Sequence, residues 1–149
     1  MPAGTLPPVA DILIASDADW IVDDLRAALV SPGTNVRSVH SGAEVRAALD
    51  PAPDLVVLDL HIGNMGGMAT CLDLRLEASA GRLPDVPVLM LLDRRPDVFL
   101  ARRSGADGWL LKPIDPIRTR RAVETILAGG RYEDPTGEPD TVPLQVSTG

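Results

Sequence analysis

The sequence has few aromatic residues and a single cysteine. Its 149 residues include one Phe, one Tyr and two Trp, so the core must be built from aliphatic side chains. The hydrophobic fraction of 45% is sufficient for one domain of ordinary size. Cys71 alone excludes an intrachain disulfide framework and a cysteine-based metal site, and this cysteine usage is typical of the reducing cytosol. We therefore expect a cytoplasmic protein with one aliphatic core.

The sequence also lacks long apolar runs and an excess of positive charge. No apolar run is long enough to span a membrane, and the N-terminus lacks the pattern of a signal peptide. The formal net charge of −7 argues against direct binding to nucleic acid, because such binding needs a positive surface. The charge is uneven, since residues 1–60 carry three Arg against nine acidic residues, whereas residues 94–130 carry eight Lys or Arg against four.

Periodic hydrophobic patterns are confined to residues 10–128. Residues 1–9 hold three prolines without periodicity, and from Gly129 the composition turns to Gly, Pro, Asp, Glu and Thr. These features predict a flexible N-terminus over 1–9 and a flexible tail over 129–149. The tail is too short for a winged helix or a helix-turn-helix unit, so we expect a stand-alone domain.

Short apolar runs alternate with helical patterns along this domain. Strands are predicted at Asp11–Ser16, Asn35–His40, Leu55–Leu58, Pro87–Leu92 and Gly108–Leu111. Ser41 and Glu44 form a capping box for the second helix, and Asp115 caps the last helix. Five βα units predict a doubly wound parallel sheet with helices on both faces, for which we expect the flavodoxin-like strand order 2-1-3-4-5.

Residues with useful chemistry follow four of the predicted strands. Ligands of such sheets bind outside the carboxyl ends of the strands. This rule selects Ser16, Asp17, Asp59, Leu92, Asp93 and Lys112. Two carboxylates held close together need a cation, and hard oxygen ligands suit Mg²⁺. The pattern predicts attack of a carboxylate on a phosphoryl donor, with Lys112 balancing the charge of the phosphate.

Four segments resemble strand motifs of the receiver domains of two-component response regulators. These segments are Ile12–Asp17, Pro53–Leu60, Pro87–Met90 and Gly105–Pro113. They occur in the family's order and spacing over residues 10–128. The resemblance implies a flavodoxin-like receiver domain, which acts as a signalling protein rather than an enzyme. It also implies a histidine kinase or another signalling protein as the partner.

The resemblance assigns roles to individual residues of this chain. Asp59 would be the phosphoacceptor, and Lys112 would contact the phosphoryl group. Asp17 and Asp59 would bind Mg²⁺, together with the backbone carbonyl of His61. The resemblance further implies a cis peptide bond between Lys112 and Pro113.

Three positions depart from the pattern of the family. Ser16 replaces the first of two adjacent acidic residues, and because its neutral hydroxyl is a poorer metal ligand, we expect weak Mg²⁺ binding. Leu92 stands where the family has a Ser or Thr hydroxyl that bonds the phosphoryl oxygen. Trp109 replaces a smaller aromatic residue that turns inward on activation, so that its inward rotation should meet more resistance. Leu92 and Trp109 are thus altered switch positions.

Two functions from different classes remain open. Ser16 and Leu92 favour an atypical receiver that has a degenerate pocket around Asp59 and signals through protein–protein interaction. Asp17, Asp59 and Lys112 favour a conventional Mg²⁺-dependent switch that a histidine kinase phosphorylates. A remote alternative is a nucleotide or cobalamin binder, because Asp59-Leu60-His61 is similar to the start of a cobalamin-binding motif. Asn64, however, stands where that motif requires glycine.

The last two predicted helices are rich in arginine. The residues concerned are Arg94, Arg95, Arg102, Arg103, Arg118, Arg120 and Arg121. A basic face of this kind can pair with a partner of complementary charge. Receivers of the family often dimerise through this region, so a homodimer through the last two helices is a further expectation.

Overall fold

The computed structural model describes residues 10–63 and 66–136, which form an α/β fold around one parallel sheet. The strands are β1 Ala10–Ala15, β2 Thr34–Val39, β3 Leu55–Asp59, β4 Val88–Leu92, β5 Gly108–Leu111 and β6 Tyr132–Glu133. The helices are α1 Asp19–Leu29, α2 Gly42–Ala48, α3 Gly67–Ser79, α4 Val98–Ser104, preceded by a 3-10 turn at Arg95–Asp97, and α5 Pro116–Leu127.

The sheet has the strand order β2-β1-β3-β4-β5-β6, and every pairing is parallel. The predicted order 2-1-3-4-5 is therefore confirmed for the first five strands. β3 and β4 are buried along their whole length, as is usual where helices cover both faces of a parallel sheet. The carboxyl ends of β1, β3, β4 and β5 consequently lie at one edge of the sheet.

The sixth strand corrects the predicted boundary at Gly129. Tyr132 and Glu133 pair with Gly108 and Trp109 of β5, and Asp134 after them is buried. A strand of two residues has no periodicity that a sequence pattern can reveal, and a buried Asp looks like a surface residue in composition. The fold thus continues through Thr136. Residues 1–9 and 137–149 lie outside the described residues, and their predicted flexibility stays a prediction.

Alternate residues of each strand point to opposite faces of the sheet, which gives two apolar layers. One layer includes Leu13, Leu58 and Met90 and packs against α2, α3 and α4. The other includes Ile14 and Val57 and packs against α1 and α5. The core is almost wholly aliphatic, as the scarcity of aromatic residues predicts.

The predicted helix caps are present. Ser41 Oγ accepts a hydrogen bond from the backbone N–H of Glu44, as a capping box requires, and Glu44 Oε1 reaches back to accept one from the N–H of His40, one residue before the cap. Asp115 Oδ1 accepts from the N–H of Arg118 at the start of α5. In the part of the chain that the structure describes, no helix combines the length and the apolar character needed to cross a membrane.

Candidate functional site

The edge of the sheet at the carboxyl ends of the strands brings Ser16, Asp59, Asp93 and Lys112 into one hydrogen-bonded cluster. Asp59 is the last residue of β3, and only 3% of its surface is exposed. The predicted phosphoacceptor therefore lies at the centre of the cluster. The Lys112–Pro113 peptide bond beside it is cis, as the family resemblance implies.

Both carboxylate oxygens of Asp59 have partners. Oδ1 accepts hydrogen bonds from Lys112 Nζ at 2.9 Å and from the backbone N–H of His61 at 3.1 Å. Oδ2 accepts one from Ser16 Oγ at 2.9 Å. A carboxylate that is removed from water needs such partners, because an unpaired buried charge is strongly destabilising. The three donors therefore satisfy both oxygens of the buried carboxylate and fix its orientation.

Ser16 is fully buried and belongs to this cluster rather than to a loose turn. Its hydroxyl donates to Asp59 and also accepts from the backbone N–H of Ala18 at 3.2 Å. Ser16 thus links the end of β1 to the end of β3 without contributing a negative charge. The sequence indicates Ser16 only as a poorer metal ligand, and its bond to Asp59 is a finding of the structure.

Asp17 faces the loop between β3 and α3. Its Oδ2 accepts a hydrogen bond from the N–H of Gly63 at 2.8 Å, and a Cβ added to Gly63 would lie 2.8 Å from the same oxygen. Asp17 and Asp59 offer carboxylate oxygens, the donors that Mg²⁺ prefers. Among the described residues, no group of three His, Cys, Asp or Glu side chains is arranged to hold a metal ion. The ligand atoms available here are oxygens, as Mg²⁺ prefers, and they come from two carboxylates and the neutral hydroxyl of Ser16.

Lys112 is shared between two carboxylates. Its Nζ lies 2.9 Å from Asp59 Oδ1 and 2.8 Å from Asp93 Oδ1. Burial lowers the pKa of Lys112, but the hydrogen bonds to Asp93 and Asp59 outweigh this effect, so that the pKa is raised. The hydrogen bond from Lys112 in turn lowers the pKa of Asp93. Asp93 therefore competes with a phosphoryl group for Lys112, to which the family resemblance assigns the phosphoryl contact.

His61 contributes its side chain as well as its backbone. Nε2 lies 3.1 Å from Asp93 Oδ2 and 3.9 Å from Asp97 Oδ2, so the imidazole connects the loop after β3 to the loop after β4. The family resemblance assigns a role only to the backbone carbonyl of His61, as a metal ligand, and that role stays a prediction. The position of Asp93 directly after β4 is the one sequence signal for this connection.

The two altered switch positions are both inside the core. Leu92 is fully buried at the end of β4, where it presents no hydroxyl to the cluster. The Trp109 ring is also fully buried, and the guanidinium of Arg102 lies 5.1 Å from its centroid. We expect the size of Trp109 to hinder an inward rotation only if its ring points outward before activation. The structure corrects this assumption, because the ring already occupies the interior.

Several arginines of the predicted basic face are engaged within the chain. Arg118 pairs with Asp115 and Asp134, and Arg95 donates to the backbone carbonyl of Asp134. Arg103 lies over the Phe99 ring at 5.3 Å. These contacts leave less of the face available to a partner than the sequence suggests, and the homodimer stays a prediction.

A parallel flavodoxin-like sheet with a buried Asp at the end of β3 and a paired Lys at the end of β5 defines a receiver-type signalling domain. The chain belongs to the response regulator receiver domain family, whose model matches residues 12–124. It is 28% identical to protein PilH of Pseudomonas aeruginosa over 122 residues, which cover 81% of this chain and 100% of PilH.

Longer regulators and solved structures give the same result. The chain is 36% identical to the nitrate/nitrite response regulator protein NarL of Escherichia coli K12 over 90 residues, 60% of this chain and 39% of NarL. It therefore spans less than half of that relative. A LuxR-family two-component response regulator from Aurantimonas sp. has a TM-score of 0.75 at 25% identity, with 92% of this chain and 98% of that chain covered. The receiver domain of NtrX from Brucella abortus has a TM-score of 0.69 at 27% identity, with 79% and 98% covered.

Proposed function

We propose that this chain is an atypical receiver that signals mainly through protein–protein contacts and in which Asp59 is a slow phosphoacceptor. The observation that carries the proposal is the buried hydroxyl of Ser16, which donates to Asp59 Oδ2 at 2.9 Å. A neutral group thus occupies the place of a metal-binding carboxylate beside the nucleophile. The partner is a histidine kinase or another signalling protein.

The chemistry follows from the contacts of Asp59. One carboxylate oxygen attacks the phosphorus of a donor, a P–O bond to Asp59 forms, and the leaving group departs with the electrons of its own bond to phosphorus. Lys112, 2.9 Å from Oδ1, offsets the negative charge of the transferred group. Mg²⁺, held by Asp17, Asp59 and the carbonyl of His61, would supply further charge stabilisation when bound. Because Ser16 adds no charge, we expect that binding to be weak.

Leu92 and Trp109 support the proposal that phosphorylation changes the fold little. A phosphoryl group shifts a conformational equilibrium only through contacts that differ between the two states. Leu92 has no hydroxyl with which to make such a contact, and Trp109 is already buried. Phosphorylated and unmodified chains should therefore present nearly the same surface to a partner.

Beryllofluoride, a phosphate mimic, tests this proposal when it is added with Mg²⁺ and followed by amide NMR. We expect shifts near Asp17, Asp59 and Lys112 and little change in α4. Asp59→Asn is the control and should remove the shifts. Large changes that extend from Leu92 through α4 to Trp109 would contradict the proposal and would favour the conventional switch. An absence of shifts would indicate a pocket that does not take up the mimic at all.

The conventional Mg²⁺-dependent switch is the second candidate. Its support is the pair between Lys112 and Asp59, because a lysine at that distance is ready to contact a phosphoryl group on the same carboxylate. The two candidates differ in rate and in conformational response rather than in the identity of the nucleophile. Measurements that separate phosphorylation from conformational change therefore discriminate between them.

Asp93→Asn should strengthen binding of the mimic by about threefold to fivefold. The substitution removes a carboxylate that competes for Lys112 and that repels a phosphate, and partly exposed ion pairs of this type contribute up to about 1 kcal/mol. The beryllofluoride affinity at fixed Mg²⁺ measures the effect. Asp85→Asn is a matched control, because Asp85 is exposed and pairs with Arg75. An unchanged affinity would mean that Asp93 does not restrain Lys112.

A further inference from the structure

We propose that residues 131–136, here called the latch, form an autoinhibitory strap that closes the β5 edge of the sheet and prevents a second copy of this chain from pairing there. The latch includes β6, which adds to β5 in parallel. The inference is independent of phosphorylation at Asp59.

Asp134 anchors the latch. It is 1% exposed, and its Oδ2 accepts hydrogen bonds from the backbone N–H of Leu111 at 2.8 Å and from Arg118. Its Oδ1 accepts from Thr136 Oγ1 at 2.7 Å. Arg95 donates to the backbone carbonyl of Asp134 at 2.7 Å. A charge is this deeply buried only where the surrounding groups are built to receive it, because desolvation is otherwise too costly.

The contact with Leu111 shows what the latch replaces. Outside the short β6 pairing, the N–H of Leu111 on β5 is satisfied by a side-chain carboxylate instead of a backbone carbonyl. Gly108 allows β6 to approach closely, because a Cβ at this position would lie 2.5 Å from the carbonyl oxygen of Tyr132. The latch thus covers β5 with backbone pairing at one end and with Asp134 at the other.

The other contacts of the latch lie mostly near the surface, and they include hydrogen bonds from Arg131 to the carbonyl of Ala106 at 3.3 Å and from the N–H of Tyr132 to the carbonyl of Asp107 at 3.2 Å. Arg131, Glu133, Pro135 and Thr136 are exposed, and Tyr132 is half-buried. Segments with few buried apolar contacts open more readily than the core. We therefore expect the hydrogen bonds of buried Asp134 to contribute most to holding the latch closed. Opening would leave without strand partners only the backbone groups of β5 that point away from β4. Such an edge pairs readily with another strand, and two-fold symmetry places the same edge of a second copy against it.

The arginine that binds Asp134 also contacts the loop that carries Lys112. Arg118 donates to the carbonyl of Leu111 at 3.3 Å and to that of Pro113 at 2.6 Å, on either side of Lys112. The same guanidinium holds Asp134. Release of Asp134 would therefore change the contacts of the residue that supports this loop.

Asp134→Asn in the full chain tests the latch, with Glu133→Gln as the matched control. Both variants remove one negative charge from the same segment, but Glu133 is exposed and lies 3.8 Å from Arg131. Hydrogen exchange of the Leu111 and Tyr132 amides should accelerate at least about tenfold in Asp134→Asn and stay within about twofold in Glu133→Gln. Exchange of Val57 and Leu58 in the central strand β3 checks that the fold is intact.

Sedimentation of the same samples tests the role of the latch in self-association. We expect Asp134→Asn to self-associate more strongly, as its concentration rises, than the unsubstituted chain and Glu133→Gln do. Thr136→Val, which removes only the hydroxyl bond to Asp134, should give a smaller change in the same direction and serves if Asp134→Asn does not fold. Unchanged hydrogen exchange of the Leu111 amide in both Asp134→Asn and Thr136→Val would contradict the proposed latch. Faster exchange without stronger self-association than in the unsubstituted chain would overturn its inhibitory role.

Discussion

Replacing Ser16 with aspartate is expected to tighten Mg²⁺ binding by at least about tenfold, which corresponds to roughly 1.4 kcal/mol. Ser16 is fully buried, and its hydroxyl bonds to Asp59. An aspartate there would add a third carboxylate beside Asp17 and Asp59, and the affinity of oxygen sites for divalent cations rises with ligand charge. Calorimetric titration with Mg²⁺ measures the change.

The neutral variant Ser16→Asn is the control for the loss of the hydroxyl. Its affinity should remain close to that of the unsubstituted chain. In the absence of metal, Ser16→Asp should unfold more readily than Ser16→Asn, because two carboxylates then lie close together in a buried site. Equal Mg²⁺ affinities for the two variants, or tight binding by the unsubstituted chain, would show that the charge at position 16 does not limit metal binding.

Gly67→Ala is expected to destabilise the protein by about 2–3 kcal/mol and to displace the backbone beneath Asp59. A Cβ at Gly67, the first residue of α3, would lie 2.5 Å from the carbonyl oxygen of Asp59 and 2.6 Å from the Cα of Leu60. Both neighbours are backbone atoms of β3 and its end, so no flexible side chain can move away. Urea unfolding measures the loss of stability.

Gly66→Ala provides a matched control one residue earlier. The nearest atom to its added Cβ is the carbonyl oxygen of Leu60 at 3.9 Å, an ordinary contact, and its φ of −60° suits alanine. We expect a change within about 0.5 kcal/mol. Similar losses of stability in both variants would mean that the approach of α3 to β3 is looser than the structure indicates.

The fold was accessible from the sequence because its dominant signals are local. Runs such as Leu55–Leu58 are long enough to mark buried strands, and the turn residues between them set the alternation with helices. The alternation of parallel strands with helices then restricts the topology to few arrangements. The same logic brought Asp59 and Lys112 together, because both directly follow strands of one sheet.

The pairing of side chains across loops was not accessible in the same way. Whether Lys112 contacts Asp59 alone or also Asp93 depends on how the loop after β4 is placed, and no pattern in the sequence encodes that distance. The position of the Trp109 ring likewise depends on how α4 packs against the sheet, which no sequence pattern encodes. Strand β6 was missed because it has only two residues and is followed by a buried carboxylate, Asp134, rather than by periodic apolar residues.

Incubation with acetyl phosphate and Mg²⁺, followed by intact-mass measurement, tests the proposed function most directly. We expect the unsubstituted chain to remain mostly unmodified over a period in which Ser16→Asp gains one phosphoryl group. Asp59→Asn, alone or combined with Ser16→Asp, should gain none. Rapid and complete phosphorylation of the unsubstituted chain at Asp59, at a rate equal to that of Ser16→Asp, would contradict the proposal that Ser16 makes this receiver atypical.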